Sequence, residues 1–296
     1  MTTAETYKSG KGEHDENFPV ASRLIAPRHR PAVLAYYRFA RAADDVADHP
    51  SLPAGDKLAA LDRLEATLLG KDDREPDAMP LRSVLKQRGM SPRHAQDLLT
   101  AFRMDCTKTR YADWGELMHY CRFSANPVGR YVLEVHGESE DTWAPNDALC
   151  TALQVINHVQ DCGKDYRQID RVYMPLDILA KHGAEVEMLG AGQATPELRA
   201  ALKRITDKLA GLIPAALRLP RVVTDTRLAI ETETIARLAA RLTGLLQTRD
   251  PLCDPVHLSK GQALSVAALS TVSVLGRRLL KREPRAARPH RQGDVA

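Results

Sequence analysis

The sequence has little of what marks a secreted or disulfide-stabilised protein. Residues 1–16 are polar and mixed in charge, and they contain no apolar stretch that could serve as a signal peptide. The five cysteines are odd in number, widely spaced and without a C-x-x-C pair. Both features favour a cytoplasmic protein whose thiols stay reduced.

Two chemical signatures are also missing. Neither G-x-G-x-x-G nor G-x-x-x-x-G-K-[ST] occurs, which argues against a dinucleotide-binding or ATP-binding fold. His49, His136 and His158 are scattered without the His or Cys spacing of a zinc site. These histidines are expected to have structural or surface roles.

The C-terminal part holds the longest apolar stretch and the excess positive charge. Residues 263–275 contain four Ser or Thr and fall short of the roughly 20 residues that span a bilayer. They predict a core helix, which we favour, or a helix lying on a membrane. Residues 277–296 carry seven Lys or Arg against Glu283 and Asp294. This tail is expected to be solvated or to make a peripheral contact with anionic lipid, and no motif indicates a nucleic-acid partner.

Helical patterns dominate the remaining sequence. Leu228, Ile235 and Leu242 recur at seven-residue intervals on one helical face, and no series of strands appears. Ser91 and Thr195, each followed by proline, are expected to cap helix starts. We predict loops at 70–80, 143–147 and 183–195. The predicted architecture is a flexible segment 1–16, one all-α domain 17–282 and a disordered basic tail 283–296.

The first chemical motif runs from Tyr36 to Asp48. One helical turn separates Asp44 from Asp48, and Arg41 and Tyr37 share their face. Two carboxylates at this spacing suit Mg²⁺, which also binds phosphate oxygens, although such pairs are common on solvated helices. Asp45 points about 100° away on an ideal helix, so we expect it to be solvated or to support the ligands rather than bind metal.

A second motif repeats this spacing with Asp161 and Asp165. Asn157 lies one turn earlier and Gln154 about one turn before that, within an otherwise apolar stretch. Such a polar face needs partners when it is buried. Metal ions bridged to a diphosphate would supply them.

With these two motifs, the chain resembles the squalene/phytoene synthase family from about residue 17 to residue 280. The resemblance implies a class I terpenoid (isoprenoid) synthase fold, an all-α bundle around a central cavity in which two D-x-x-x-D helices hold Mg²⁺ and a diphosphate. It implies metal binding by Asp44, Asp48, Asp161 and Asp165, catalytic roles for Tyr37, Arg41, Tyr120 and Tyr173, and substrate contacts from Phe18, Arg41, Gln154 and Asn157.

Three strings narrow the resemblance. They are residues 16–22 (ENFPVAS), 39–45 (FARAADD) and 125–130 (ANPVGR), and they are similar to the branch that forms hydroxysqualene in bacterial hopanoid synthesis. Arg122 and Gln160 depart from the squalene and phytoene synthases, which often carry an aromatic residue and an arginine there. Lys164, Arg167 and Arg171 could contact diphosphate, but a charged helix end explains them equally well, so they stay unassigned.

The implied reaction is the ionisation of presqualene diphosphate, rearrangement of the carbocation and capture by water. No reductant is needed, and the functional partner would be an enzyme that makes presqualene diphosphate. Two alternatives stay open at this point. One is a presqualene diphosphate or phytoene synthase that condenses two prenyl diphosphates, and the other is a non-catalytic isoprenoid-binding scaffold.

Overall fold

The computed structural model describes residues 25–280, and these form α-helices joined by short connections. Within this range the backbone makes no β-strand, only an isolated bridge between Arg110 and Val172. The all-α prediction is therefore confirmed. The helices are α1 (Arg30–Ala47), α2 (Ala54–Leu68), α3 (Met79–Arg88), α4 (Arg93–Asp105), α5 (Trp114–Ser124), α6 (Asn126–Val135), α7 (Trp143–Gln160), α8 (Cys162–Ile169), α9 (Leu176–Lys181), α10 (Pro196–Ala210), α11 (Ile213–Ala216), α12 (Leu219–Val222), α13 (Thr226–Leu246) and α14 (Lys260–Leu280).

Part of the predicted domain layout falls outside these residues. Phe18, the string at residues 16–22, the flexible segment 1–16 and the basic tail 283–296 lie outside the described range. The single domain at 17–282 stays a prediction.

The helix ends show which local signals were sufficient. Thr195 caps α10 by accepting a hydrogen bond from the Leu198 amide at 3.3 Å, as predicted. Ser91 accepts from the Arg93 amide at 3.2 Å, but α4 begins one residue later than its predicted cap implies. The loop predicted at 143–147 is wrong, because these residues form the first turn of α7. A proline is tolerated in that turn since its missing amide donor has no partner there.

Two groups of buried apolar side chains form the core, and α6 connects them. The first includes Phe39 of α1 and Leu99 of α4, and the second includes Ile156 of α7. Tyr131 of α6 belongs to the first group, whereas Leu133 of the same helix belongs to the second. Helix α1, which carries the first aspartate motif, thus packs in one group, and α7 and the start of α8, which carry the second motif, pack in the other.

Helix α14 only partly follows its sequence prediction. One side packs on α13 through Val266, Ser270 and Val274, which are buried. The other side is exposed, so the prediction that this stretch forms a core helix is wrong for that side. By length and composition this helix could cross a membrane. Only 17% of its most apolar window is buried in the protein, so most of that window is exposed.

Candidate active site

The first aspartate motif lies at the C-terminal end of α1. Asp44 is in the last turn and Asp48 caps the helix, with the Asp48 amide donating to the Asp44 carbonyl at 2.9 Å. Arg41 donates to Asp44 at 2.8 Å and to Asp45 at 2.6 Å. Asp45 is buried, so of its two expected roles the solvated one is wrong. Its contact with Arg41 fixes the guanidinium beside Asp44.

The second motif lies where α7 passes into α8. Asp161 stands between the two helices, and the Asp165 amide donates to its carbonyl at 2.8 Å. The Asp161 amide in turn donates to the Asn157 carbonyl at 2.9 Å. The i,i+4 spacing read from the sequence therefore survives the change of helix.

The two motifs face each other closely enough to interact electrostatically. Burial, together with the negative charges of Asp161 and Asp48, raises the pKa of Asp165 to about 6. Asp161 is on the same motif, whereas Asp48 is on the opposite one. Negative charge from both motifs thus acts on Asp165, and a cation placed there would be stabilised.

A polar pocket of about 300 Å³ lies beside the first motif. It brings together most of the side chains to which the resemblance gives a role. Those lining it are Tyr37, Arg41, Asp44, Asp48, Tyr120, Gln154 and Tyr173. Asn157, Asp161 and Asp165 are not among the lining residues, so this pocket does not by itself bring the second motif together with the first.

Arg171 is a member of the site to which no role had been given. It is buried, and it donates to Asp48 at 3.0 Å, to the Tyr173 hydroxyl at 3.3 Å and to the Asp105 carbonyl at 3.1 Å. The residue follows Asp170, whose left-handed backbone (φ 50°) ends α8. The three contacts come from separate parts of the chain, so periodicity could not reveal them.

Asp105 is a second residue that the sequence did not single out. It ends α4, is buried, and accepts a hydrogen bond from the Tyr120 hydroxyl at 2.9 Å. Burial raises the pKa of Asp105 to about 7, although Arg171 opposes that shift. The sequence offers one signal, a carboxyl group between Met104 and Cys106. Its partners Tyr120 and Arg171 come from other parts of the chain, so the sequence alone could not predict its role.

The predicted surface or structural role of His158 can now be made specific. Its ring is buried and stacks on Tyr173 with 3.5 Å between ring centroids. Burial lowers the pKa of His158 to about 3, so the ring stays neutral. It also lies beside Tyr120, with 6.0 Å between ring centroids, and so supports the two tyrosines that line the pocket.

An apolar cavity of about 290 Å³ adjoins the polar pocket. The two share Tyr37, Ala40 and Val128 in their linings. Gly129 of α6 lies at the cavity wall, and a Cβ there would come within 2.2 Å of the Asn146 side chain on α7. Glycine in the string at 125–130 therefore lets α6 and α7 approach closely.

The described carboxylates do not form a ready-made metal cage. Among residues 25–280 there is no group of three or more His, Cys, Asp or Glu close enough to hold an ion. Asp44 and Asp48 contact arginines, and the second motif stands across the gap. Such a set fits Mg²⁺ that takes part of its shell from water and diphosphate, because Mg²⁺ rarely uses an all-protein cage.

The two departures noted in the sequence lie away from the pocket lining. Arg122 is exposed on α5. Gln160 donates to the Val256 carbonyl at 2.5 Å, so it joins the end of α7 to the segment before α14.

Comparison with known proteins assigns the family. The family model described as squalene/phytoene synthase matches residues 11–262. The chain belongs to the squalene/phytoene synthase family. Within this family it is 54% identical over 258 residues to a hydroxysqualene synthase from Rhodopseudomonas palustris, covering 87% of this chain and 88% of the relative.

Two further comparisons agree with that assignment. A hydroxysqualene synthase from Sinorhizobium fredii is 49% identical, with 88% of this chain and 89% of the relative covered. The crystal structure of squalene synthase HpnC from Alicyclobacillus acidocaldarius superposes with a TM-score of 0.70 at 29% identity, covering 82% of this chain and 91% of that chain. The family fold thus extends over nearly the whole described range.

Proposed function

We propose that the protein converts presqualene diphosphate and water to hydroxysqualene and diphosphate. The observation that carries the proposal is the junction between the acid-lined polar pocket and the apolar cavity at Tyr37, Ala40 and Val128. A substrate with a diphosphate head and long hydrocarbon chains needs these two environments side by side. Similarity to hydroxysqualene synthases over nearly the full chain favours this reaction among those of the family.

The residues of the polar pocket would bind the diphosphate and assist its departure. Mg²⁺ held by Asp44, Asp48, Asp161 and Asp165 would neutralise the charge of the leaving group. Arg41, fixed by Asp45, presents a positive charge at the same place. The carbon–oxygen bond breaks with its electron pair going to diphosphate, and preorganised charges stabilise that pair without reorganisation.

The apolar cavity would control what happens to the carbocation. Its wall is formed largely by aliphatic and aromatic side chains such as Leu149, Leu153 and Tyr36. Excluding bulk water lets the cyclopropylcarbinyl skeleton rearrange before capture. One water oxygen then forms the new carbon–oxygen bond and loses a proton, so no reductant is consumed.

The proposed substrate places the protein after another enzyme. A condensing synthase must join two prenyl diphosphates to supply presqualene diphosphate, and it would be a functional partner in squalene and hopanoid synthesis. We propose that the protein works in the cytoplasm and that its hydrophobic product is delivered to a membrane.

Product analysis tests the proposal. Purified protein would be incubated with Mg²⁺ and either presqualene diphosphate or farnesyl diphosphate, without NADPH, and extracted lipids would be identified by mass spectrometry. Hydroxysqualene from presqualene diphosphate is the expected product. Formation of presqualene diphosphate or a phytoene-type hydrocarbon from the prenyl diphosphate would instead assign a condensing enzyme, and no product from either would indicate a binding protein.

A further inference from the structure

Helix α14 carries an apolar face that the fold leaves in contact with solvent. Its members are Leu264, Leu269, Val272, Leu275, Leu279 and Leu280, called here the α14 outer face. Leu264 is 72% exposed, Val272 70% and Leu280 86%. The sequence has no charged residue from 261 to 276. Isolated exposed leucines are common, but a continuous apolar face of this kind marks a surface that binds something.

The opposite side of α14 is fixed to the protein body. Arg277 forms an ion pair with Glu233 of α13 at 2.8 Å, and Arg278 donates to the carbonyls of Thr224 at 2.6 Å and Val223 at 3.0 Å. The Glu233 carboxylate is buried, which raises its pKa, but its ion pairs with Arg277 and Arg237 outweigh burial and lower the pKa. A helix that crossed a bilayer would have to leave these partners, so the attached position favours a helix that lies in the plane of a surface.

The chain that follows α14 supplies the complementary charge. Residues 281–296 contain five Lys or Arg against Glu283 and Asp294. Basic residues beside an apolar helix are attracted to anionic headgroups and hold its face at the lipid surface. A second copy of this chain would present the same uncharged face and another positive segment, so it would offer no charge complementarity. An anionic bilayer offers both an apolar interior and negative charge.

We propose that the α14 outer face docks this protein onto an anionic membrane surface, with α14 lying parallel to the bilayer and still packed on α13. Helix α13 also lines the apolar cavity through Leu228 and Ile235. Docking along α14 therefore holds the wall of that cavity close to the lipid. The surface interaction itself does not depend on which isoprenoid the cavity binds.

Vesicle flotation with the full chain tests this surface. Vesicles of phosphatidylglycerol and phosphatidylcholine in equal parts should carry the protein upward, and high salt or pure phosphatidylcholine should weaken the association. The double variant Leu264→Gln/Val272→Gln should lower vesicle binding about tenfold or more, because both side chains are exposed and would enter the lipid. The matched control Leu69→Gln/Met79→Gln changes two exposed apolar residues at the end of α2 and the start of α3 and should bind as the wild type does.

The same samples distinguish the other occupants of the face. Release of bound protein by alkaline carbonate is expected, whereas resistance would overturn the in-plane arrangement in favour of a spanning helix. Light scattering in the absence of vesicles should give the same mass for the wild type and the α14 double variant. A dimer that the double variant converts to monomer, without vesicle binding by the wild type, would overturn the proposal in favour of self-association.

Discussion

Arg41 shows how single side chains prepare the first motif for a charged ligand. It contacts both Asp44 and Asp45, and only Asp44 lines the polar pocket. The buried Asp45 holds the arginine, so the two adjacent aspartates have different tasks. Helix geometry alone points the two side chains in different directions, but the burial of Asp45 depends on neighbouring helices.

Replacing one carboxylate in each motif tests whether both are needed. Asp44→Asn and Asp161→Asn should each lower kcat by about tenfold or more, equivalent to at least about 1.4 kcal/mol of transition-state stabilisation. Each change weakens the neutralisation of the departing diphosphate. Steady-state diphosphate release would measure the effect, and Asp56→Asn, an exposed change on α2, is the matched control. Unchanged turnover in both site variants would contradict the metal-assisted mechanism.

Asp105 makes a pH-dependent contribution whose sign follows from its raised pKa. Between its unfolded pKa near 4 and its folded value of about 7, the folded protein binds the extra proton, so this stabilising contribution declines as pH rises. Asp105→Asn removes the titrating group. The free energy of unfolding of the variant, relative to wild type, should therefore rise by about 1 kcal/mol or more from pH 5 to pH 8. Urea unfolding at both pH values measures it, and a constant difference would contradict the assignment.

At the scale of elements, the approach of α6 to α7 is set by a glycine. Gly129→Ala would push a methyl group into Asn146 and should cost about 1–3 kcal/mol of stability. Gly244→Ala on α13 is the matched control, since open space surrounds that position and alanine favours a helix by about 1 kcal/mol. Thermal unfolding should move in opposite directions for the two variants. A shift of the same sign in both would mean that helix propensity decides at Gly129.

Local signals predicted elements better than their ends or surroundings. The cap at Thr195 and the apolar face of α13 depend on residues a few positions apart, and both were readable from the sequence. The first turn of α7 was mistaken for a loop because a proline and polar residues resemble one locally. The exposed side of α14 was mistaken for core because residues 261–276 carry no charge on any side of the helix.

At the scale of the whole molecule, the two motifs belong to different parts of the core. A ligand that both motifs bind should therefore stabilise the entire fold. Mg²⁺ with inorganic diphosphate should raise Tm. A free ligand concentration 100 times Kd adds about 2.7 kcal/mol to the free energy of unfolding. Differential scanning fluorimetry would measure the shift. Asp44→Asn and Asp161→Asn should each reduce it, and an equal shift in wild type and both variants would place the ligand elsewhere.

The sequence by itself determined the helical class, the two i,i+4 aspartate pairs and the side chains sharing their faces. These features depend on the 3.6-residue repeat of a helix, which is a property of one segment of the chain. That repeat does not depend on which other helices pack against the segment. Only the tertiary structure decided that Arg171 joins Asp48 to Tyr173, that Asp105 is buried beneath Tyr120, and that an apolar cavity opens beside the acids. Such contacts join residues as many as 123 positions apart, and their positions follow from how whole helices pack.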